Sequence, residues 1–489
     1  MAQGIPTEFN YARRRPEKTV LYRLIQENWL TFTSNAAETG HDIPNFVTKE
    51  FEGFITCGIL AHGFCRVHCD SCLQDRLVAW SCKGRGFCPS CMGRRMAEMQ
   101  VHLSERVLGD TPIRQWVLTV PKPIRYLLAY HRNACSAVLK IFINTVFRWL
   151  KTRAKREFAL ASIRNVYPGA ITAIQRHGSA ADLNIHYHSL VTDGVFVTQD
   201  DTDSPTFRML HAPSEPDLAA ISWEICRNTI AWLRKHDLWI DSADSASVLA
   251  QESPLVAACA AASLQGRVLF GKRQGSGLLR LQNPLLVQQP TSQLAGHGFH
   301  LHAAVRAAAQ DHKAKATLCR YIVRPPIAND RLSILPHGRV QLRLKRAYSD
   351  GTTHMLFEPL DFIARLVALV PPPRAHQVRF HGVFAPHHRL RERVVPPPVL
   401  ESLPAKSPLP TSFTTTRRKS FAMLLKKTFD LDLLICPRCG GQSRVLEATT
   451  EPKAIQKILA HLGFSTEAPR FAKARAPPDE ASVDTYDAA

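Results

Sequence analysis

No uninterrupted apolar run in the 489-residue chain approaches the roughly 20 residues that a membrane-spanning helix needs. The best stretch, FIARLVALV, is short and carries an arginine, so no membrane partner is expected. The stretch MAQGIPTEFNYARRRPEK lacks the apolar segment of a secretion signal, and a cytoplasmic location is expected. A Walker-type phosphate loop is missing, and so is an obvious carboxylate triad, which removes ATP-driven hydrolysis from the expected chemistry. No motif recurs at a fixed period. Acidic side chains are in deficit, 41 against 62 lysines and arginines, giving a formal charge of +21. The excess cations are spread along the chain rather than gathered in one tail, which favours a polyanionic partner.

What is present points to a globular protein. Hydrophobic residues make up 45% of the chain, enough for a substantial core, and length alone suggests about three domains. Residues 18–36 have apolar residues near helical spacing. From 114 to 197 the pattern reads strand, helix, strand, strand: RQWVLTV, CSAVLKIFINTVFRWLKTRAKR, AITAIQR and LNIHYHSLVTDGVFV. Residues 198–295 look like an insertion around one good helix, EPDLAAISWEICRNTIAWLRKH. The stretch DHKAKATLCRYIVR reads as a helix stopped by Pro325-Pro326, since proline cannot continue the backbone ladder. RVQLRLKRAY reads as a further strand. The expected organisation is therefore an N-terminal helical segment (1–45), a cysteine-rich domain (46–100), an α/β region (101–365), a stiff proline-rich linker (366–410), and a small C-terminal unit (411–489). That unit has two helices, one Cys-x-x-Cys pair and a disordered tail.

Thirteen cysteines in a chain without a signal segment favour metal binding over disulfides. Cys69-x-x-Cys72 and Cys88-x-x-Cys91 are fifteen residues apart, the pattern of a four-thiolate zinc ribbon in which each pair turns two sulfurs towards one tetrahedral ion. Cys57, Cys65, His68 and Cys82 lie in the same segment, so a second ion or a ligand set using Cys57 and Cys82 stays open. Such a closed site is structural, and it would present Lys83, Arg85, Arg94 and Arg95 to nucleic acid. Cys436 and Cys439 supply half of another site, with His461 as one way to complete it.

In NIHYHSL the pleat of a strand projects His186 and His188 to one face and Tyr187 to the other. The histidines can chelate a metal, whereas Tyr187 belongs to the core. A rival pair, His300 and His302, occurs in GFHLHAA. A chelated ion can withdraw charge from a phosphate but still needs an attacking group. Among nine tyrosines, Tyr321 is the best placed, on the proline-stopped helix between Arg320 and Arg324, which could hold flanking phosphates.

Taken in order, CDSC, SCKGRGFCPSC, NIHYHSLVTDGVF, CRYIVRPP, LVPPPR and CPRCGG resemble the insertion-sequence-91 type of rolling-circle transposase, within the histidine-hydrophobe-histidine tyrosine endonucleases. The resemblance runs from about 45 to 465. It implies an α+β fold with a ferredoxin-like antiparallel catalytic sheet and an N-terminal zinc-binding domain. It also implies cleavage and rejoining of single-stranded DNA at element ends, with hairpins there, and joining to target DNA through a 5′-phosphotyrosine. On this basis His186 and His188 match the metal pair for magnesium or manganese, and Tyr321 matches the nucleophile. Gln175 is the expected third ligand on hairpin geometry. Some relatives carry a second tyrosine four residues on. Here that position is Pro325, so the chain resembles the single-tyrosine subgroup. A plasmid replication initiator or relaxase with the same chemistry, or a non-catalytic zinc-dependent DNA-binding regulator, are the alternative readings.

Overall fold

Apolar alternation in Ile113–Thr119, Gly169–His177 and Leu183–Thr192 produces the three strands at the middle of the main sheet. The computed structural model describes residues 14–199, 204–239, 253–287, 298–395, 435–436 and 438–475. The main sheet has six strands. Its order is His300–His302, Ile113–Thr119, Leu183–Thr192, Gly169–His177 and Val378–Gly382, with Arg306–Ala307 continuing alongside Ile113–Thr119. Every pairing in it is antiparallel, so the protein is α+β as expected.

The two faces of this sheet carry different partners because the pleat sorts the side chains. Tyr187 and Leu118, directly paired, face the helix Arg132–Glu157. There Tyr187 lies beside Phe142, with ring centroids 6.4 Å apart, and its hydroxyl donates to the Cys135 carbonyl at 3.2 Å. Tyr187 is wholly buried. On the opposite face Ile171, Ala173 and Leu190 pack with Leu318, Cys319 and Ile322 of the helix His312–Ile322. Burying each large apolar side chain contributes about 1.5–3 kcal/mol. Asp311 caps that helix by accepting from the Ala314 amide at 2.8 Å, and Val323 and Arg324 separate the helix end from the Pro325-Pro326 pair.

Residues 366–395 are not a linker. FIARLVALV belongs to the helix Pro359–Leu369, which is buried without interruption from Asp361 to Leu369, and Val378–Gly382 is the edge strand paired with Gly169–His177. This largely apolar helix is covered on all sides, Asp361 and Arg365 included, and its proline-rich flanks hid that from the composition. The stretch 198–295 also contributes structure: Thr206–Met209 pairs with Gly194–Val197, and Leu279–Val287 pairs with Asp350–Phe357. Gly194 is required at the start of its strand, because a Cβ there would come within 2.2 Å of the Arg208 carbonyl oxygen. Among the described residues no helix is long and apolar enough to cross a membrane.

The end of the chain joins its beginning. Ser443–Thr449 pairs with Phe64–Cys69, which in turn pairs with Asp75–Ala79, so the C-terminal unit completes the N-terminal sheet instead of standing apart. The helix Pro452–His461 places Ile455 and Leu459 against Leu60, Phe64 and Leu77. Further on, Gln26 binds the Arg470 carbonyl and the Ala472 amide at 2.8 and 2.9 Å. The other expected C-terminal helix (419–434) and the tail (476–489) lie outside the described residues.

One buried ion pair fixes the turn that follows the histidine strand. Arg114 donates to both carboxylate oxygens of Asp193, at 2.7 and 3.2 Å, and to the Ala303 carbonyl at 2.9 Å. Both side chains are buried. Asp193→Ala would strand a guanidinium in the interior, and a destabilisation of about 3–5 kcal/mol is expected. A lowered urea midpoint checks it.

Candidate active site and cysteine clusters

His186 and His188 project together from the central strand, with ring centroids 4.7 Å apart. The Nδ1–H of His186 donates to the Asn184 carbonyl at 2.8 Å, which fixes the tautomer and leaves Nε2 as a free lone pair. The side-chain amide of Gln115 lies 3.0 Å from His188 Nδ1, and with the amide turned so that its oxygen accepts the Nδ1–H it would hold the ring from behind and leave the Nε2 lone pair for a metal. His188 Nε2 is buried and has no hydrogen-bond partner among the described residues. Burial, with Arg324 among the nearby charges, lowers the His186 pKa to about 4 and that of His188 well below its ordinary value, so both rings are neutral at pH 7.

Gln175 is paired with His186 across the strands and therefore shares its face. Its amide nitrogen donates to the Tyr321 and Ile322 carbonyls at 3.0 and 2.9 Å, near the end of the tyrosine helix. Its Oε1 is buried and unpartnered among the described residues. Leaving such acceptors unpaired costs about 1–3 kcal/mol each. Two of them beside a free imidazole lone pair form a donor set of nitrogen and neutral oxygen able to hold a divalent ion.

Tyr321 stands next to this set, its ring meeting that of His188 edge-on with centroids 5.3 Å apart. It is 39% exposed, while its helix neighbours Leu318, Cys319 and Ile322 are buried. The Arg324 guanidinium lies over the tyrosine ring, 4.2 Å from its centroid, and Arg324 Nε is buried with no partner among the described residues. His177 adds a third imidazole: its Nε2 lies 3.3 Å from the Arg324 carbonyl, and burial lowers its pKa to about 3. Neither Gln115 nor His177 was singled out from the sequence. His177, two residues beyond Gln175 on one strand, was open to the same alternation rule that marked His186 and His188.

The rival histidines do not join this cluster. His300 pairs with Thr119 and His302 with Val117, and those residues pair with His186 and His188 in turn. Both pairs thus share a face, but two strand spacings, about 9.5 Å, separate them.

Arg85, Arg95 and Arg324 line a cavity of about 420 Å³ between the cysteine-rich domain, the tyrosine helix and the strand Gly169–His177, next to Gln175. The other expected DNA-contacting cations are placed differently. Arg320 donates to Gln100 at 2.8 Å, Arg94 pairs with Glu98 at 2.9 Å, and Lys83 is exposed in the loop before Cys88.

The cysteines divide differently from the expected single ribbon. Cys57, Cys82, Cys88 and Cys91 form one group of four, and Cys69, Cys72, Cys436 and Cys439 form another, the sulfurs of each lying within 4.8 Å of one another. The two Cys-x-x-Cys pairs therefore belong to separate clusters. Cys69 and Cys72 lie at the end of the strand Phe64–Cys69 and in the turn after it, whereas Cys88 begins the helix Pro89–Leu103 and is held beside Cys57. Cys65, His68 and His461 belong to neither group. His68 Nδ1 is instead 2.8 Å from Asp75. Within the first group, sulfur separations of 3.3 to 3.8 Å lie at or just below the roughly 3.8 Å expected for four thiolates about 2.3 Å from a tetrahedral zinc. The amides of Cys82 and Gly84 point at Cys57 and Cys82 sulfurs, as second-sphere donors do.

Residues 24–120 match the family model of the transposase zinc-binding domain of the insertion-sequence-91 type, and residues 169–392 match the model described as "Putative transposase". The chain belongs to the insertion-sequence-91 type transposases. No curated protein and no solved structure matches it. The first match contains the whole Cys57, Cys82, Cys88 and Cys91 cluster, which assigns structural zinc to this transposase. The second contains Gln175, His186, His188 and Tyr321. Cys436 and Cys439 lie beyond both.

Proposed function

We propose that this transposase cleaves and rejoins single-stranded DNA at the ends of its element through a 5′-phosphotyrosine on Tyr321, in rolling-circle transposition. The observation that carries the reading is the half-exposed Tyr321 ring set against His188, on the face where His188 Nε2 and Gln175 Oε1 are buried without partners among the described residues. His186, His188 and Gln175 would hold magnesium or manganese. When bound, such an ion supplies Lewis-acid withdrawal of charge from a phosphate oxygen.

The chain's own groups account for the rest of the reaction. The Tyr321 oxygen attacks phosphorus as its proton is lost, the bond from phosphorus to the 3′-oxygen breaks, and that oxygen takes up a proton to become a free 3′-hydroxyl. Arg324, with its guanidinium over the tyrosine and an Nε that has no partner among the described residues, can bind the phosphate on the attacking side. Rejoining is the reverse attack by a target 3′-hydroxyl. Each step exchanges one phosphoester for another, so no ATP is needed. The antiparallel sheet with helices on both faces is compatible with the ferredoxin-like arrangement of this chemistry.

The cavity beside Gln175 supports a single-strand path. It is large enough for a nucleotide, and Arg85 and Arg95 bring zinc-domain cations to it. Arg95→Gln is expected to lower the slope of log affinity against log salt for single-stranded DNA by about 0.7, the effect of losing one neutralised phosphate. Fluorescence anisotropy over a salt series checks this. The function itself is tested by incubating the protein with labelled single-stranded element ends and manganese. A covalent product resistant to SDS is the expected result, and its absence with both ends would refute the proposal.

A further inference from the structure

The second cysteine group draws its ligands from places in the chain far apart. Cys69 Sγ lies 3.5 Å from Cys439 Sγ, and Cys72 Sγ lies 3.6 Å from Cys436 Sγ, contacts that span 370 and 364 residues of sequence. The two pairs are built alike. The Cys69 amide donates to the Gln74 carbonyl at 2.9 Å, and the Cys436 amide to the Gly441 carbonyl at 2.8 Å, five residues on in both. The residue after the second cysteine is left-handed in both, Leu73 at φ +55° and Gly440 at φ +70°. Each turn thereby lifts its two sulfurs towards the other turn.

The turns also interlock. The Gly441 amide donates to Cys439 Sγ at 3.4 Å, and a Cβ on Gly441 would collide with the Ser71 hydroxyl at 2.2 Å. Arg444 bonds Asp70 at 2.8 Å, and the Asp70 amide donates to the Gln442 carbonyl at 3.3 Å. Four thiols so placed, with no disulfide formed among them, match a closed tetrahedral thiolate site and no open catalytic one.

We propose that Cys69, Cys72, Cys436 and Cys439 bind a second structural zinc ion, which ties the C-terminal strand Ser443–Thr449 to the N-terminal sheet. On binding, the thiols release their protons and four sulfur–zinc bonds form. The domain that begins near residue 20 is then completed only by residues beyond 435. The ion would reinforce the strand pairing and the small apolar cluster in which Ile455 and Leu459 meet Leu60, Phe64 and Leu77.

Metal analysis and native mass spectrometry of the full chain, purified with zinc, should give two ions per chain. The double variant Cys436→Ser, Cys439→Ser should retain one. In that variant, amide exchange across 443–449 is expected to speed up at least tenfold, while 183–192 is unchanged. Cys436→His, still able to ligate zinc, should keep both ions and restore the protection. One ion in the parent, or two in the double variant, would overturn the site. One ion in the double variant with unaltered exchange across 443–449 would overturn the fastening. None of these readouts depends on DNA cleavage.

Discussion

Tyr321→Phe is expected to abolish the covalent protein–DNA product, by at least about 10⁵-fold, the scale on which removal of a nucleophile acts. The substitution is clean for structural reasons. The ring contacts with His188 and with the Arg324 guanidinium belong to the aromatic ring, which phenylalanine keeps. The side chain is 39% exposed, so loss of its hydroxyl opens no cavity and little change in stability is expected. Affinity for single-stranded DNA, set by cations elsewhere on the surface, should stay at the parent level. Gel analysis after SDS treatment reads the adduct and anisotropy reads the binding. A phenylalanine variant that still becomes covalently linked would show that another group attacks. Arg324→Lys is the companion experiment: the charge survives, but the flat guanidinium over the ring and its forked donors do not, so a partial loss of rate is expected with binding retained.

The parts of this site that could be read from sequence are those set by local geometry. The two-residue repeat of a strand places His186 and His188 together and sends Tyr187 to the core beneath Arg132–Glu157, and the structure has all three there. Asp311 and the Pro325-Pro326 pair mark both ends of the tyrosine helix, for capping and proline sterics act over a few residues. Long-range pairing was less legible. Spacing alone joined Cys69 and Cys72 to Cys88 and Cys91, because a fifteen-residue loop is long enough to bring them to one ion. The partners Cys436 and Cys439 are selected by the pairing of Ser443–Thr449 with Phe64–Cys69, which no local pattern encodes. The buried helix Pro359–Leu369 and the edge strand Val378–Gly382 were masked for a related reason. Prolines on either side suggested an extended connector, while packing against the main core decides the outcome. Gln115 escaped notice because its role depends on the register between Ile113–Thr119 and Leu183–Thr192.

His188→Ala should lower metal-dependent cleavage by roughly 10³-fold, since Lewis-acid stabilisation of a phosphoryl transition state contributes several kcal/mol. His186→Ala should act similarly, and excess manganese should rescue neither variant, because each removes a nitrogen that the buried site cannot replace with water. Proton competition gives a second, independent signature. Burial lowers the His186 pKa to about 4 and that of His188 well below its ordinary value. Protons therefore do not compete for either ring at pH 5.5. Manganese affinity, followed by electron paramagnetic resonance, should change less than about threefold between pH 7.5 and 5.5, whereas two ordinary imidazoles would lose about 100-fold. The same shifts set the acid stability of the metal-free protein. Below pH 6.5 the unfolded chain takes up protons at these histidines before the folded one does, so stability is intact above about pH 6.5 and falls as pH drops towards 4. His186→Ala removes one such group, and its urea midpoint should fall less steeply with acid than the parent's. A parent whose manganese affinity collapses between pH 7 and 6 would show that His186 and His188 do not hold the ion.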